Sequence, residues 1–360
     1  MARHRLWTCN EKDREFNQVI LFDGTLRRSL LLLGLACLSG TGFAGLAFAE
    51  RLGDAAPEQI VAPQGGSPGH VEKMLAPCGA ADAEACTENG YAFLEGDQVP
   101  QSEVRAFGYF AQGCEFGSMR GCTMAGYAYA QGQGVAANPA YAASYYNRAC
   151  EGGEAIACSN LGLAYAGGVG VAEDMIRANG LFTKACDMGA IAGCANLGAS
   201  YSLGRGVARD QGAAEALFLK ACEAGNVHAC YNLGVLYRDG LGVLQDHARA
   251  AELFDRACAA DDASACGNLG FMTDDGRGVA IDRERALSLF EKACRLGDAE
   301  SCFTLGRAYQ TGNGRDRDDA RAEELLKRAL TLDPKMGSAD AARKALELSQ
   351  QPGAVPIEQR

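Results

Sequence analysis

A pair of cysteines recurs along this chain with constant internal spacing and constant period. The chain has 360 residues and 16 cysteines. Fourteen of them form seven C-x7-C pairs, and the first member of each pair recurs every 36 residues without an insertion. Such a period indicates stacked supersecondary units that do not bury their apolar faces alone. The pairs are Cys78 and Cys86, Cys114 and Cys122, Cys150 and Cys158, Cys186 and Cys194, Cys222 and Cys230, Cys258 and Cys266, and Cys294 and Cys302.

The spacing within a pair limits how its two cysteines interact. On one continuous helix they would lie about 12 Å apart, whereas a disulfide needs Cα atoms within about 7 Å. A bonded pair therefore requires the chain to reverse between them. Glycine tolerates the left-handed conformation that follows a helix, and it stands three residues after the first cysteine in five units, at Gly117, Gly153, Gly189, Gly225 and Gly297.

This pattern predicts a helix that ends just past the first cysteine, a tight turn, and an antiparallel helix that begins before the second. Asp261 and Ala81 replace the turn glycine in the other two units. Asp accepts the left-handed conformation and Ala does so poorly, so we expect the first turn to differ.

Metal binding and free reactive thiols are weaker interpretations of the pairs. Zinc sites favour two to four residues between paired cysteines and need four ligands, but the chain has no C-x-x-C and four His. Free thiols in seven equivalent places would be oxidised in an oxidising compartment. We therefore predict structural disulfides, no metal and no cofactor.

The unit that starts at Cys158 shows two helices separated by a glycine-rich break. Leu161, Gly162 and Tyr165 form a packing stripe on the first helix, and residues 168–171 (GVGV) end it. The second helix has core spacing at Ala178, Leu181, Phe182 and Ala185. We expect Gly162 to let the two helices approach closely.

The skeleton L-G-x-x-Y-x-x-G-x-G-V returns from Asn196, Asn232 and Asn268, and more loosely from Thr304. It resembles the Sel-1-like repeat, and the added cysteines resemble its cysteine-rich secreted subfamily, first described in Helicobacter. The resemblance covers residues 71–332. It implies an all-α, right-handed α/α solenoid of 36-residue helix-turn-helix repeats with one disulfide per repeat. We predict that residues 333–350 form a C-terminal capping helix and that residues 351–360 form a tail.

Residues 26–49 resemble a secretory signal peptide. Two arginines precede an uncharged stretch that closes on Ala47-Phe48-Ala49, an A-x-A cleavage site. An uncleaved membrane anchor, a lipoprotein cysteine at Cys37 and a buried core helix are the alternatives. Cleavage would remove Cys9 and Cys37 and leave only paired cysteines, which favours a periplasmic or secreted protein.

Two further segments flank the signal sequence. Residues 1–25 form a mixed-charge extension, which an over-called start site would explain, and residues 50–70 form a linker. After cleavage we expect no membrane contact, whereas an uncleaved segment would serve as an N-terminal anchor.

The concave face of a solenoid is its usual binding surface. The residue before the Leu-Gly pair is expected to point to it, and in four consecutive units that residue is Asn160, Asn196, Asn232 or Asn268. The resemblance implies that such amides hold the main chain of a peptide. The alternative is that each Asn bonds the neighbouring helix and fixes repeat stacking.

The positions beside this asparagine vary between units. Tyr231, Phe271 and Phe303 are candidate anchors for a partner, although ordinary surface variability explains the same pattern. His228 lies on the same helix start, and we interpret it as a polar surface residue rather than a catalyst.

Composition and motifs narrow the function classes. A net charge of −11 argues against nucleic acid, whose binding depends on Lys and Arg. Proteins of the cysteine-rich subfamily are often labelled β-lactamases, but S-x-x-K, S-D-N and K-T-G are all absent. We predict no catalytic residues and an unidentified peptide or protein partner, with a weak β-lactamase or penicillin-binding hydrolase as the alternative.

The missing motifs lead to a first prediction. Purified protein is expected to show no saturable hydrolysis of nitrocefin, because no serine is paired with a lysine one helical turn away. A serine β-lactamase in the same assay is the positive control. Sustained turnover that saturates with substrate would contradict the binding interpretation.

Overall fold

Helices make up the regular structure of the computed structural model, which describes residues 78–97 and 99–349. These residues contain fifteen helices and one isolated bridge between Gly79 and Asp82. The prediction of an all-α solenoid is confirmed. The predicted extension (1–25), signal sequence (26–49), linker (50–70) and tail (351–360) lie outside the described residues.

The helices belong to two compact units that divide between Glu154 and Ala155. In the first unit each helix packs against the next one along the chain. Its helices are α1 (Ala83–Glu95), α2 (Glu103–Phe116), α3 (Met119–Gln131) and α4 (Pro139–Glu151).

The second unit continues the same alternation of first and second helices, again with sequential packing. Its helices are α5 (Ala155–Gly167), α6 (Met175–Asp187), α7 (Ile191–Leu203), α8 (Gln211–Glu223), α9 (Val227–Asp239), α10 (His247–Ala259), α11 (Ala263–Asp275), α12 (Arg283–Arg295), α13 (Ala299–Thr311), α14 (Asp319–Leu332) and α15 (Ala339–Ser349).

Aspartates fix the starts of the second helices. In α10, the side chain of Asp246 accepts a hydrogen bond from the backbone N–H of Arg249 at 3.0 Å, which satisfies a donor that the helix leaves unpaired. Equivalent aspartates cap the other second helices of this unit, at Asp174, Asp210, Asp282 and Asp318.

In several repeats the second glycine of the G-x-G loop allows the loop to lie against the preceding repeat. Gly242 and Gly278 have φ of +72° and +74°. A Cβ on Gly278 would stand 2.2 Å from the backbone carbon of His247, and one on Gly242 would stand 2.0 Å from Cβ of Gln211. Any side chain at these positions would push the loops off the repeat before.

The core pairs a glycine of the first helix with a phenylalanine of the second. A Cβ on Gly162 would lie 2.5 Å from the Phe182 ring, and Phe182 is buried. The same glycine–phenylalanine contact recurs at Gly198 and Phe218, Gly234 and Phe254, and Gly270 and Phe290. The predicted close approach at Gly162 is therefore confirmed.

The turn between paired cysteines has the predicted conformation. The five turn glycines have φ between +90° and +105°, and Asp261 takes φ of +64°. Ala81 is absent from the positive-φ residues of the described chain. Instead, Asp82 donates its N–H to the Gly79 carbonyl and caps α1, so the first turn differs as expected.

The paired cysteines are disulfide-bonded. The Cα atoms of Cys222 and Cys230 lie 4.6 Å apart, and five other pairs lie at 4.4 to 4.7 Å. Cys150 and Cys158 are also both disulfide-bonded. The pairing predicted from the C-x7-C spacing is confirmed.

In three repeats a cation two residues before the first cysteine ties the second helix to the second helix before it. Lys292 Nζ donates to the Cys258 carbonyl at 2.6 Å, and Arg256 Nη2 to the Cys222 carbonyl at 3.1 Å. Lys220 reaches the Cys186 carbonyl at 3.5 Å. Each cation thus binds the carbonyl end of the preceding helix, where the helix dipole favours positive charge.

These contacts predict that Lys292→Met lowers stability. The variant keeps the aliphatic stem but loses the bond to Cys258 and the ion pair with the exposed Asp261, at a cost of about 1–2 kcal/mol. Urea unfolding under non-reducing conditions measures the effect. Lys327→Met is the matched control, because Lys327 pairs with Glu323 on its own helix and is exposed, so its loss is expected to cost less than about 0.5 kcal/mol. Equal shifts in the two variants would contradict the account.

Candidate functional site

The predicted asparagines lie on the side of each first helix that faces away from its second helix. Asn160 precedes Gly162 by two residues, and two residues of an α-helix carry the side chain about half a turn round the axis. Gly162 contacts Phe182 on the second helix, so the asparagine faces the other way. Leu163 follows Asn160 by three residues, so the two side chains are neighbours along the helix, and Leu163 also packs against the core cluster that contains Phe182.

We call this surface the ladder face. Its members are the residues two and five positions after the second cysteine in the second unit. They are Asn160, Asn196, Asn232 and Asn268, with Leu163, Ala199, Val235 and Phe271 beside them.

The four asparagines have different surroundings. Asn160 is 7 % exposed, and its Nδ2 has no hydrogen-bond partner among the described residues. Asn196 is half-buried, and Asn232 is buried. Asn268 donates from Nδ2 to the Ser264 carbonyl at 2.7 Å. The four amides are therefore equally spaced along the sequence but do not have equal roles in the structure.

Asn268 also accepts a hydrogen bond from Arg238, which lies on the first helix of the preceding repeat. Arg238 is 8 % exposed. Its guanidinium holds the Asp239 carboxylate with two bonds, Nε to Oδ1 at 2.8 Å and Nη2 to Oδ2 at 2.9 Å. Asn268 thus links two repeats, as the stacking alternative expects at this position.

Sequence reasoning missed Arg238. The equivalent positions in the adjacent repeats are Ser202 and Asp274, so no recurring residue type marks the site. The sequence does show that Arg238 stands beside an aspartate on the first helix, which was a usable signal. Its partner Asn268, on the next repeat, is known from the structure.

The three candidate aromatic anchors lie in different environments. Tyr231 is 6 % exposed, and its ring centroid lies 5.8 Å from that of Phe254. Phe271 is 41 % exposed and packs edge-on to Phe290 at 4.7 Å. Phe303 is half-buried against the C-terminal core. Phe271 therefore offers the most ring surface to a partner.

Burial controls the titration of the groups around Tyr231. It raises the pKa of the Tyr231 phenol to about 12, although Arg238 opposes the shift. Burial also raises the pKa of the Asp298 carboxyl, which accepts a hydrogen bond from the Ser301 N–H at 2.7 Å. The phenol therefore stays neutral at physiological pH.

His228 lies beside the cap of the next first helix. Its Nδ1 is 3.4 Å from Oδ2 of Asp262, and Oδ1 of Asp262 accepts from the Ala265 N–H at 2.7 Å. This arrangement places His228 at the contact between repeats.

Metal sites and membrane-spanning helices are two further features that bear on function. The described residues contain no group of three or more His, Cys, Asp or Glu side chains arranged to hold a metal ion. None of the described helices is long and apolar enough to cross a membrane.

These features define a solenoid of helical hairpins in which disulfides recur with the repeat. The Sel1 repeat model matches most of the chain, and the chain belongs to the Sel1 repeat family. The matched segments are residues 83–117, 120–154, 155–189, 191–226, 227–262, 263–298 and 299–334. No curated protein sequence matches the chain.

Solved structures of the same fold include c5321, a protective antigen of uropathogenic Escherichia coli. It is 28 % identical, with a TM-score of 0.65, and the match covers 76 % of this chain and 57 % of that protein. A Sel1 repeat protein from Oxalobacter formigenes is 22 % identical, with a TM-score of 0.59 over 75 % of this chain and 99 % of that one. Helicobacter pylori cysteine-rich protein B is 31 % identical over 37 % of this chain and 96 % of its own, with a TM-score of 0.31.

The matched segments show what the disulfides join. Cys114 lies at the end of the segment 83–117, and Cys122 lies at the start of the segment 120–154. This bond therefore connects the second helix of one repeat to the first helix of the next, and the four bonds from Cys186–Cys194 to Cys294–Cys302 do the same within the second unit. After the seventh repeat the equivalent position is Leu330, which packs against the C-terminal core.

Proposed function

We propose that this protein is an exported scaffold that binds an extended peptide, or an extended segment of a protein partner, on the ladder face. Helical-repeat solenoids present extended surfaces of this kind to partners. The observation that carries the proposal is the recurrence of Asn on one face of four consecutive repeats, beside positions that vary.

The amides suit a peptide backbone because each one both donates and accepts hydrogen bonds. Asn160 supports this use because its Nδ2 has no hydrogen-bond partner among the described residues; the atom is fully buried, so the side chain would turn outward to meet a ligand. A buried donor without an acceptor costs about 1–3 kcal/mol, so a carbonyl group supplied by a ligand would stabilise it. Asn196 is half-buried and gives a second amide that a ligand can reach.

The side chains beside the amides supply a basis for selectivity. Leu163, Ala199 and Phe271 differ in size at one repeat position and are at least partly exposed, whereas Val235 at the same position is fully buried. A peptide held by its main chain would place alternate side chains against this series. We propose that Phe271 is an anchor, while the buried Tyr231 and the half-buried Phe303 shape the surface beside it.

Export is part of the proposal. Disulfides form and persist in oxidising compartments, and the predicted signal sequence precedes the repeats. Outside the cytoplasm the disulfides would keep the binding surface fixed, so a partner would bind without first ordering it.

The test compares two kinds of asparagine. A dodecapeptide selected from a random library on the immobilised full chain serves as the probe, and calorimetry gives its affinity. The double variant Asn160→Ala and Asn196→Ala is expected to bind it at least tenfold more weakly. Each lost hydrogen bond is worth about 1 kcal/mol, and about 1.4 kcal/mol is a factor of ten.

Asn268→Ala is the matched control. Its amide is already bonded to Ser264 and Arg238, so this variant is expected to lower the urea midpoint and leave peptide affinity within about twofold. Failure to select any peptide, or affinity unchanged in the double variant, would contradict the proposal.

A further inference from the structure

One tyrosine of the repeat, seven positions after the second cysteine, often carries a guanidinium on its ring. The carbon of the guanidinium lies within the range of a cation–π contact, about 6 Å from the ring centroid. The distances are 5.7, 4.4 and 5.4 Å for Arg177 over Tyr165, Arg249 over Tyr237 and Arg315 over Tyr309. The ring at this position therefore binds cations within the chain itself.

Arg177 and Arg249 share one repeat position, the third residue of the second helix. In the hairpin of α3 and α4 the equivalent residue is Tyr141, and the tyrosine it covers is Tyr129. The two ring centroids lie 5.2 Å apart. An aromatic ring thus stands where two other repeats have a cation.

Tyr145 completes a group that we call the tyrosine cluster, made of Tyr129, Tyr141 and Tyr145. Tyr145 follows Tyr141 by one helical turn, and its ring lies 5.6 Å from that of Tyr129. Phe107 supports Tyr129 from α2, edge-on at 5.1 Å. Within residues 78–154 as described, no Arg or Lys lies over any of the three tyrosine rings.

The cluster is accessible and uncharged. Tyr141 is 56 % exposed, and Tyr129 and Tyr145 are half-buried. Burial raises the pKa of both Tyr129 and Tyr145, with Glu115 adding to the shift and Arg148 opposing it at Tyr145. The phenols therefore stay protonated, and a cation would be attracted to the ring faces.

We propose that the tyrosine cluster is a docking site for an arginine or lysine side chain of a protein partner. The partner's cation would bind against the exposed ring of Tyr141 and the rings beside it, by the same cation–π attraction that holds Arg177 and Arg249 on their own tyrosines. The net charge of −11 would favour the approach of such a partner. The ladder face lies in the other unit, and the two surfaces are tested with different variants and probes.

The decisive variant puts the missing cation into the cluster. Tyr141→Arg reproduces the arginine–tyrosine arrangement of two other repeats, and it is therefore expected to fold. Its guanidinium would cover Tyr129 and exclude the partner's cation. The probe is a fluorescein-labelled peptide of alternating arginine and glycine, followed by anisotropy with the full chain in about 150 mM salt, where long-range attraction is screened.

Ala213→Arg is the matched control. Ala213 holds the same repeat position in α8, where the tyrosine of the repeat is Tyr201, and the substitution adds the same charge in the other unit. We expect Tyr141→Arg to weaken peptide binding about fivefold, a typical size for a lost cation–π contact. Ala213→Arg and Tyr141→Phe are expected to change binding less than about twofold.

Circular dichroism confirms the fold of each variant before binding is compared. A peptide with citrulline in place of arginine keeps the shape and removes the charge, so it is expected to bind more weakly than the arginine peptide. Equal binding of the two peptides, no binding by the wild-type chain, or equal effects of Tyr141→Arg and Ala213→Arg would overturn the proposal.

Discussion

The disulfide between consecutive repeats is the constraint on which the rest of this structure depends. In an ordinary solenoid, neighbouring repeats associate through packing alone. Here a bond such as Cys222–Cys230 holds the end of one second helix beside the start of the next first helix. In the chain-entropy model, a loop this short gives about 2.5 kcal/mol.

A charged contact accompanies the covalent one. Lys292 and Arg256 bind the carbonyl of the first cysteine in the preceding repeat. The disulfide fixes a first helix against the helix before it, and the cation fixes a second helix against its predecessor. Together they determine how each repeat of the second unit lies on the next, and so where side chains of neighbouring repeats meet.

This fixed geometry bears on both proposed surfaces. The ladder face depends on amides from several repeats being held at constant spacing, and the disulfides supply that constancy without relying on a ligand. The tyrosine cluster depends on a smaller arrangement within one hairpin. The cluster exists because Tyr141 occupies the repeat position that holds Arg177 and Arg249 in two other repeats.

The sequence predicted the features that depend on local backbone chemistry. The C-x7-C period, the turn glycines and the tolerance of Asp261 for positive φ followed from conformational rules, and the structure agrees. The unusual first turn at Ala81 followed from the same rules. Asn160, Asn196, Asn232 and Asn268 were placed on one face because helical periodicity determines direction.

The partners of these side chains were not predictable in the same way. Asn268 is bonded by Arg238, and Tyr231 is buried against Phe254, through contacts that depend on how repeats and helices pack. Periodicity shows the direction of a side chain but not the group it meets. For this reason asparagines at equivalent repeat positions differ in their hydrogen bonding.

Disulfide mapping of the protein isolated from its native compartment tests the central claim most directly. Free thiols are alkylated first, and the chain is then digested without reduction and analysed by mass spectrometry. The account predicts seven bonds, each within one C-x7-C pair, and a protein about 14 Da lighter than its fully reduced form. Alkylated cysteines between residues 78 and 302, or bonds between different pairs, would contradict it.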